Sequence, residues 1–190
     1  MKIGTLLLVC ISIGASLLSC NQQVKEERLK RIDSLGIHLN YVSESLSEMD
    51  SALLNNRIND IERTSTWIYD NVTDTLDRVP GLAFGDFIRS KKYLNQSIGR
   101  FGEVSSELRY SEKQLENLRR DIKENFYSEE EFEGYFKTES RSIANLVGAV
   151  DELKNKYVSS NDQYIRLKPR ITKIVDSIKS VIYASEPIAR

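Results

Sequence analysis

The sequence predicts an all-α fold, an antiparallel up-down-up three-helix bundle with coiled-coil-like heptads. Three observations point there. Apolar residues recur at alternating steps of three and four over long stretches, the spacing that keeps one helix face buried. Only three prolines and nine glycines punctuate 190 residues, too few breakers for a strand-rich fold. Val79-Pro80-Gly81 with Gly85-Asp86, and the short Tyr127-Ser128 stretch, then divide the pattern into three.

The last helix, expected over residues 129–183, carries the clearest signal. Phe132, Phe136, Ile143, Leu146, Val150, Leu153, Tyr157, Tyr164, Leu167, Ile171, Ile174, Ile178 and Val181 share one register, interrupted only at Glu139 and Ser160. Its start is marked by Ser128-Glu129-Glu130-Glu131, an S-x-x-E capping box whose acidic run suits the positive end of the helix dipole. That role accounts for the cluster better than a metal site does.

The first helix, expected over residues 24–78, repeats the pattern through Ile32, Leu35, Leu39, Val42, Leu46, Met49 and Leu53. The register then slips by one residue and resumes at Leu54, Ile58, Ile61, Ile68, Val72 and Leu76. Such a slip changes the local supercoil without having to end the helix. The middle helix, expected over residues 86–126, uses Phe87, Leu94, Ile98, Phe101, Leu108, Leu115, Leu118, Ile122 and Phe126. Pro80 and Gly81 are read as ending the first helix, and Asp86 as capping the second. Short links make neighbouring helices antiparallel.

A helix rises 1.5 Å per residue, so the outer helices come to roughly 80 Å and the middle one to roughly 60 Å. The middle helix is then too short to cover Ile171, Ile174, Ile178 and Val181, a stripe broadened by Val175 and Ile182. Pro169 lacks an N–H and permits a kink just before it. Two readings follow. The segment folds back over the loop at residues 80–85 and buries the stripe on Leu82 and Phe84, which is favoured. Otherwise the stripe is a docking face for a second copy or a different protein.

Charge is unevenly placed. Between residues 60 and 77 the first helix carries Asp60, Glu62, Asp70, Asp74 and Asp77 against Arg63 alone. Between residues 154 and 179 the last carries Lys154, Lys156, Arg166, Lys168, Arg170, Lys173 and Lys179 against Asp162 and Asp176. Mutual neutralisation is the plainer reading, with little energy per exposed pair. The sharper one makes Lys168, Arg170 and Lys173 candidate contacts for an anionic partner.

Residues 1–20 form a targeting segment. Lys2 supplies a positive start, residues 3–18 are apolar, and Leu17-Leu18-Ser19-Cys20 closes the run. This resembles the lipobox of bacterial lipoproteins, with an aliphatic residue at −3, a small one at −1 and an obligatory cysteine at +1. Leu18 at −2 is bulkier than usual. The resemblance implies a signal peptide over residues 1–19 and a lipid-anchored helical domain over 20–190. It also implies covalent diacylglycerol and an N-acyl chain on Cys20. The apolar run is short for a bilayer span, and polar residues follow the cysteine directly. Asn21 rather than Asp after the cysteine favours the outer membrane in a Gram-negative cell.

Removal of the segment takes Cys10 and Lys2 with it. The mature chain then has Cys20 alone, so no internal disulfide forms. It carries 26 basic against 28 acidic side chains, a net of −2, which excludes a globally basic nucleic-acid binder.

No catalytic constellation stands out. His38 is the one histidine and sits beside the Leu35/Leu39 stripe. There is no Gly-rich phosphate loop, no G-x-S-x-G elbow and no zinc-ligand spacing. Trp67 reads as core or half-buried packing. Asp33-Ser34-Leu35, Asp50-Ser51-Ala52, Asp74-Thr75-Leu76 and Asp176-Ser177-Ile178 resemble the D-[S/T]-aliphatic glycosylation signal of some exported proteins. The expectation is a non-enzymatic lipoprotein of the cell envelope, without cofactor, serving as helical spacer or protein-docking module. Its partners would be the membrane, an envelope protein or its own copies. The alternative is binding of peptidoglycan or lipopolysaccharide through the basic segment.

Overall fold

The computed structural model describes the backbone of residues 3–73 and 76–185, and the side chains of 22–73 and 76–184. The described chain is all-helical: α1 is Ile3–Ser47, α2 Ser51–Asn71, α3 Arg78–Lys123 and α4 Glu129–Ser185. It divides into two compact units. Residues 1–44 and 106–148 form the first, and residues 45–105 and 149–190 the second.

In the first unit, α1 buries Ile32, Leu35, Leu39 and Val42. The second half of α3 buries Leu108, Leu115, Leu118 and Ile122, and α4 buries Phe132, Ile143 and Leu146. Fully burying such side chains contributes about 1.5–3 kcal/mol each. Polar pairs border this core. Asp33 meets Arg119, Arg28 meets Glu129, and Arg31 meets Glu133. The guanidinium of Arg31 also lies over the Phe132 and Phe136 rings, 5.0 and 4.1 Å from their centroids.

In the second unit, Leu54, Ile58, Ile61 and Ile68 of α2 meet Ala83, Phe84, Phe87 and Leu94 of α3 and Leu167 and Ile171 of α4 in one buried cluster. Lys91 pairs with Glu62 at 2.6 Å, and Lys154 with Glu48 at 2.5 Å.

The expected first helix is two helices. The chain breaks at residues 48–50, where the apolar register slips. Asp50 is extended, with φ −86° and ψ 94°, and its carboxylate accepts the Leu53 N–H at 2.8 Å. Its own N–H donates to the Tyr157 hydroxyl at 3.2 Å. The break lets Met49 and Leu54 both be buried, which one continuous register would not allow. An aspartate three residues before Leu53 is an N-cap signal that the sequence reading passed over.

The first connection is also corrected. Val79, Pro80 and Gly81 open α3 instead of closing the preceding helix. Proline is accepted there because first-turn N–H groups have no helical partner to lose. Asp86 is therefore no cap. It lies within α3 and pairs with Arg89 at 3.1 Å. The α4 start follows the expected capping box: the Ser128 N–H reaches Glu131 Oε2 at 2.9 Å, and the Glu131 N–H reaches Ser128 Oγ at 3.3 Å. Helix α4 continues through Pro169.

Both interruptions of the α4 register have a structural counterpart. Ser160 is buried and its hydroxyl lies 3.3 Å from that of Ser97. Glu139 is half-buried, and burial together with nearby Glu107 raises its pKa. Helix α3 also buries Ser90, Ser97 and Ser111, at seven- and fourteen-residue steps that the sequence reading missed.

Leu153→Ala should lower stability by about 2–5 kcal/mol, as expected for a fully enclosed leucine. Lys156→Ala, on the exposed side in an ion pair with Glu152, should cost about 0.5 kcal/mol or less. Urea denaturation of the mature chain checks the contrast, and equal midpoints would refute the assigned face. Since the folded pKa of Glu139 lies above the ordinary value, its ionisation costs stability as pH rises. Glu139→Gln should therefore raise the melting temperature at pH 7 and change it little at pH 4.

A candidate groove between α2 and α4

In the second unit, Asp60, Arg63, Thr64 and Trp67 of α2 face Lys168, Thr172, Val175, Asp176 and Lys179 of α4 across an open groove of about 420 Å3. The spacing of the lining residues on each helix, three or four apart, follows from helical geometry. At its centre Lys168 Nζ donates to Asp60 Oδ1 at 2.7 Å and to Oδ2 at 2.5 Å. The Tyr164 hydroxyl donates to the same carboxylate at 2.6 Å.

Burial opposes ionisation of Asp60. The hydrogen bonds from Lys168 and Tyr164 outweigh it, so the Asp60 pKa falls below the ordinary carboxylate value. Burial and the hydrogen bond to Asp60 push the Tyr164 hydroxyl well above the usual phenol range. Tyr164 thus stays a neutral donor. Further along the groove, Lys179 Nζ lies 5.2 Å from the Trp67 ring centroid, a cation–π contact on a half-buried indole.

The structure separates the residues that the charge pattern grouped. Lys168 is half-buried and neutralised by Asp60, so it belongs to the unit's internal polar set. Arg170 and Lys173 are exposed. Arg170 donates to the Val79 carbonyl at 3.5 Å. Sequence reasoning missed Arg63 and Lys179 as companions of Trp67. Residues 63 and 67 are four apart on one helix, but nothing local reveals that residue 179 lies opposite.

The apolar stripe also divides. Ile171 is fully buried in the core of the second unit, which corrects its assignment to a docking face. Ile174 packs against the same core, and Ile178 is half-buried. Val181 is 67% exposed. The expected fold-back is not what covers them. The residues taken for a loop are the first turns of α3, so the middle helix is long enough to supply Ala83, Phe84 and Phe87 as partners. Phe84 is buried against this core, while Leu82 stays exposed.

The side chains of Leu17, Leu18, Ser19 and Cys20 lie outside the described residues, as do Asp74 and Thr75. Of the other three glycosylation-like triplets, Asp33-Ser34 and Asp176-Ser177 are exposed on helices, and Asp50 is the α2 cap. His38 is exposed on α1. Among the described residues, no helix is long and apolar enough to cross a membrane, and no group of three or more His, Cys, Asp or Glu could hold a metal ion. Comparison of the chain with protein-family models, curated proteins and solved structures finds no match.

Asp60→Asn should lower stability at neutral pH by about 1–2 kcal/mol, the scale of a charged hydrogen bond discounted for partial exposure. Because the folded Asp60 pKa is depressed, its contribution is full above the ordinary value of 3.8 and is lost as pH falls through the folded value. A melting-temperature profile from pH 7 to pH 2 should therefore show a shallower acid limb in Asp60→Asn than in the wild type. Parallel acid limbs would refute the assignment.

Proposed function

We propose that the chain is a lipoprotein of the cell envelope, anchored through lipid on Cys20, whose helical part is a non-catalytic spacer or protein-docking module. The observation that carries this reading is the Leu17-Leu18-Ser19-Cys20 motif ahead of a chain whose described remainder is wholly helical. The cysteine thiol accepts the lipid, and two or three acyl chains hold where one would not. A helical remainder suits spacing or docking because its side chains are spent on one another: the polar clusters found are caps, ion pairs and hydroxyl contacts within each unit.

Within each unit we infer an up-down-up arrangement with heptad-like seams. In the first unit, α1 residues 28 and 31 meet α4 residues 129 and 133 in rising order. Lys25 and Asp33 of α1 meet Lys123 and Arg119 of α3 in falling order. In the second unit, residues 48 and 60 meet 154 and 168 in rising order. These pairings support parallel outer helices with α3 reversed between them.

The α2–α4 groove favours a second reading, binding of an anionic envelope polymer. Its lining sets Arg63, Lys168 and Lys179 against Asp60 and Asp176, a cationic excess of one beside an indole and two threonine side chains, which suits phosphorylated or carboxylated sugars.

Cys20→Ala should release the protein from membranes and abolish incorporation of labelled fatty acid. Retention on membranes through detergent-free washing, with no label in the wild type, would overturn the anchor. For the second reading, joint replacement of Arg63 and Lys179 by Gln should lose pull-down on isolated wall material or lipopolysaccharide. Unchanged recovery would reject the polymer and leave protein docking.

A further inference from the structure

The turn between α3 and α4 holds an aromatic side chain, Phe126, that stays largely exposed among the described residues. Helix α3 ends in a Schellman motif: the Phe126 N–H bonds to the Asp121 carbonyl at 3.0 Å, and the Asn125 N–H to that of Ile122 at 3.1 Å. Asn125 supplies the left-handed residue, with φ 58°. In this motif the residue after the left-handed one usually packs on an apolar side chain at the position Asp121 occupies. Asp121 instead accepts the Tyr127 hydroxyl at 2.8 Å, so Phe126 stands 65% exposed at the tip.

The position of the tip is fixed against α1. Lys25 donates to the Lys123 carbonyl, and Arg28 to the Tyr127 carbonyl at 3.3 Å. Lys25 follows Cys20 by five residues, about 8 Å of helix and about 18 Å at the most extended. The headgroup layer on each side of the hydrocarbon is about 5–8 Å thick. A lipid on Cys20 therefore brings the tip to the bilayer surface.

We propose that Phe126 inserts into the interface of the membrane that holds the lipid, giving the first unit a second contact with the bilayer. This rests on the lipoprotein reading. The surface is zwitterionic lipid and the driving force is burial of the ring. Charge at the tip is mixed, with Glu124 and Glu130 beside Lys25 and Lys123 and with Glu129 paired to Arg28, so it gives no net attraction to an anionic surface. A membrane contact also accounts for a rigid cap that displays phenylalanine where a polar residue would serve a soluble turn.

The test uses lipidated full-length protein reconstituted in phosphatidylcholine vesicles. Trp67 is the one tryptophan, so the wild type gives the baseline for Phe126→Trp. The added tryptophan should show blue-shifted emission and be quenched by lipids brominated high on the acyl chain. The same variant carrying Cys20→Ala, mixed with vesicles, should lose most of that quenching. Flotation separates the two claims. Protein that floats with vesicles while residue 126 keeps water-like emission overturns the insertion and spares the anchor. Protein that carries no lipid and does not float overturns both.

Discussion

The constraint on which the rest depends is the burial of one face of α4. Phe132, Ile143 and Leu146 serve the first unit, and Val150, Leu153, Leu167 and Ile171 the second. Apolar packing of this kind, repeated at every turn or two, holds each unit together. That demand explains the other elements. The chain breaks at Asp50 because a continuous helix would turn either Met49 or Leu54 away from the core. Helix α3 begins at Arg78 because Ile171 needs Phe84 and Phe87 beside it.

Polar groups are admitted to this packing only with partners of the right chemistry. Ser97 and Ser160 give each other a hydroxyl, and Ser90 returns its own to the Phe87 carbonyl at 2.6 Å. Asp60 is held ionised by two donors from α4. Tyr127, hydrogen-bonded to Asp121 and partly buried, has its pKa pushed up to about 12 and remains a donor at any physiological pH. Glu139 is the exception, and its raised pKa records the cost of its place beside Glu107. Each of these arrangements is explained by packing.

The two units carry different exposed features. In the first unit, the turn before α4 presents the exposed Phe126 ring on a hydrogen-bonded cap. The α2–α4 groove presents cations and an indole on the second unit.

Periodicity determined the helices, because a buried helix face requires apolar residues every three or four positions whatever lies opposite. It also determined the α4 start, because a capping box is closed within four residues. The register slip at Leu53 and Leu54 was legible, but its outcome was not. Continuing the helix with altered supercoil and breaking it at Asp50 differ in what Met49 and Tyr157 meet, and Tyr157 is over a hundred residues away. The role of Pro80 was undecided for the same reason, since proline ends one helix or opens the next according to where the following turn finds cover. Among the candidate site residues, the charges of Lys168, Arg170 and Lys173 were visible, but only the tertiary structure placed Asp60 against Lys168 and Lys179 over Trp67. Ile171 shows the limit most clearly. Its apolar character is local, whereas whether it faces solvent or Phe87 depends on α3 starting eight residues earlier than its breakers suggested.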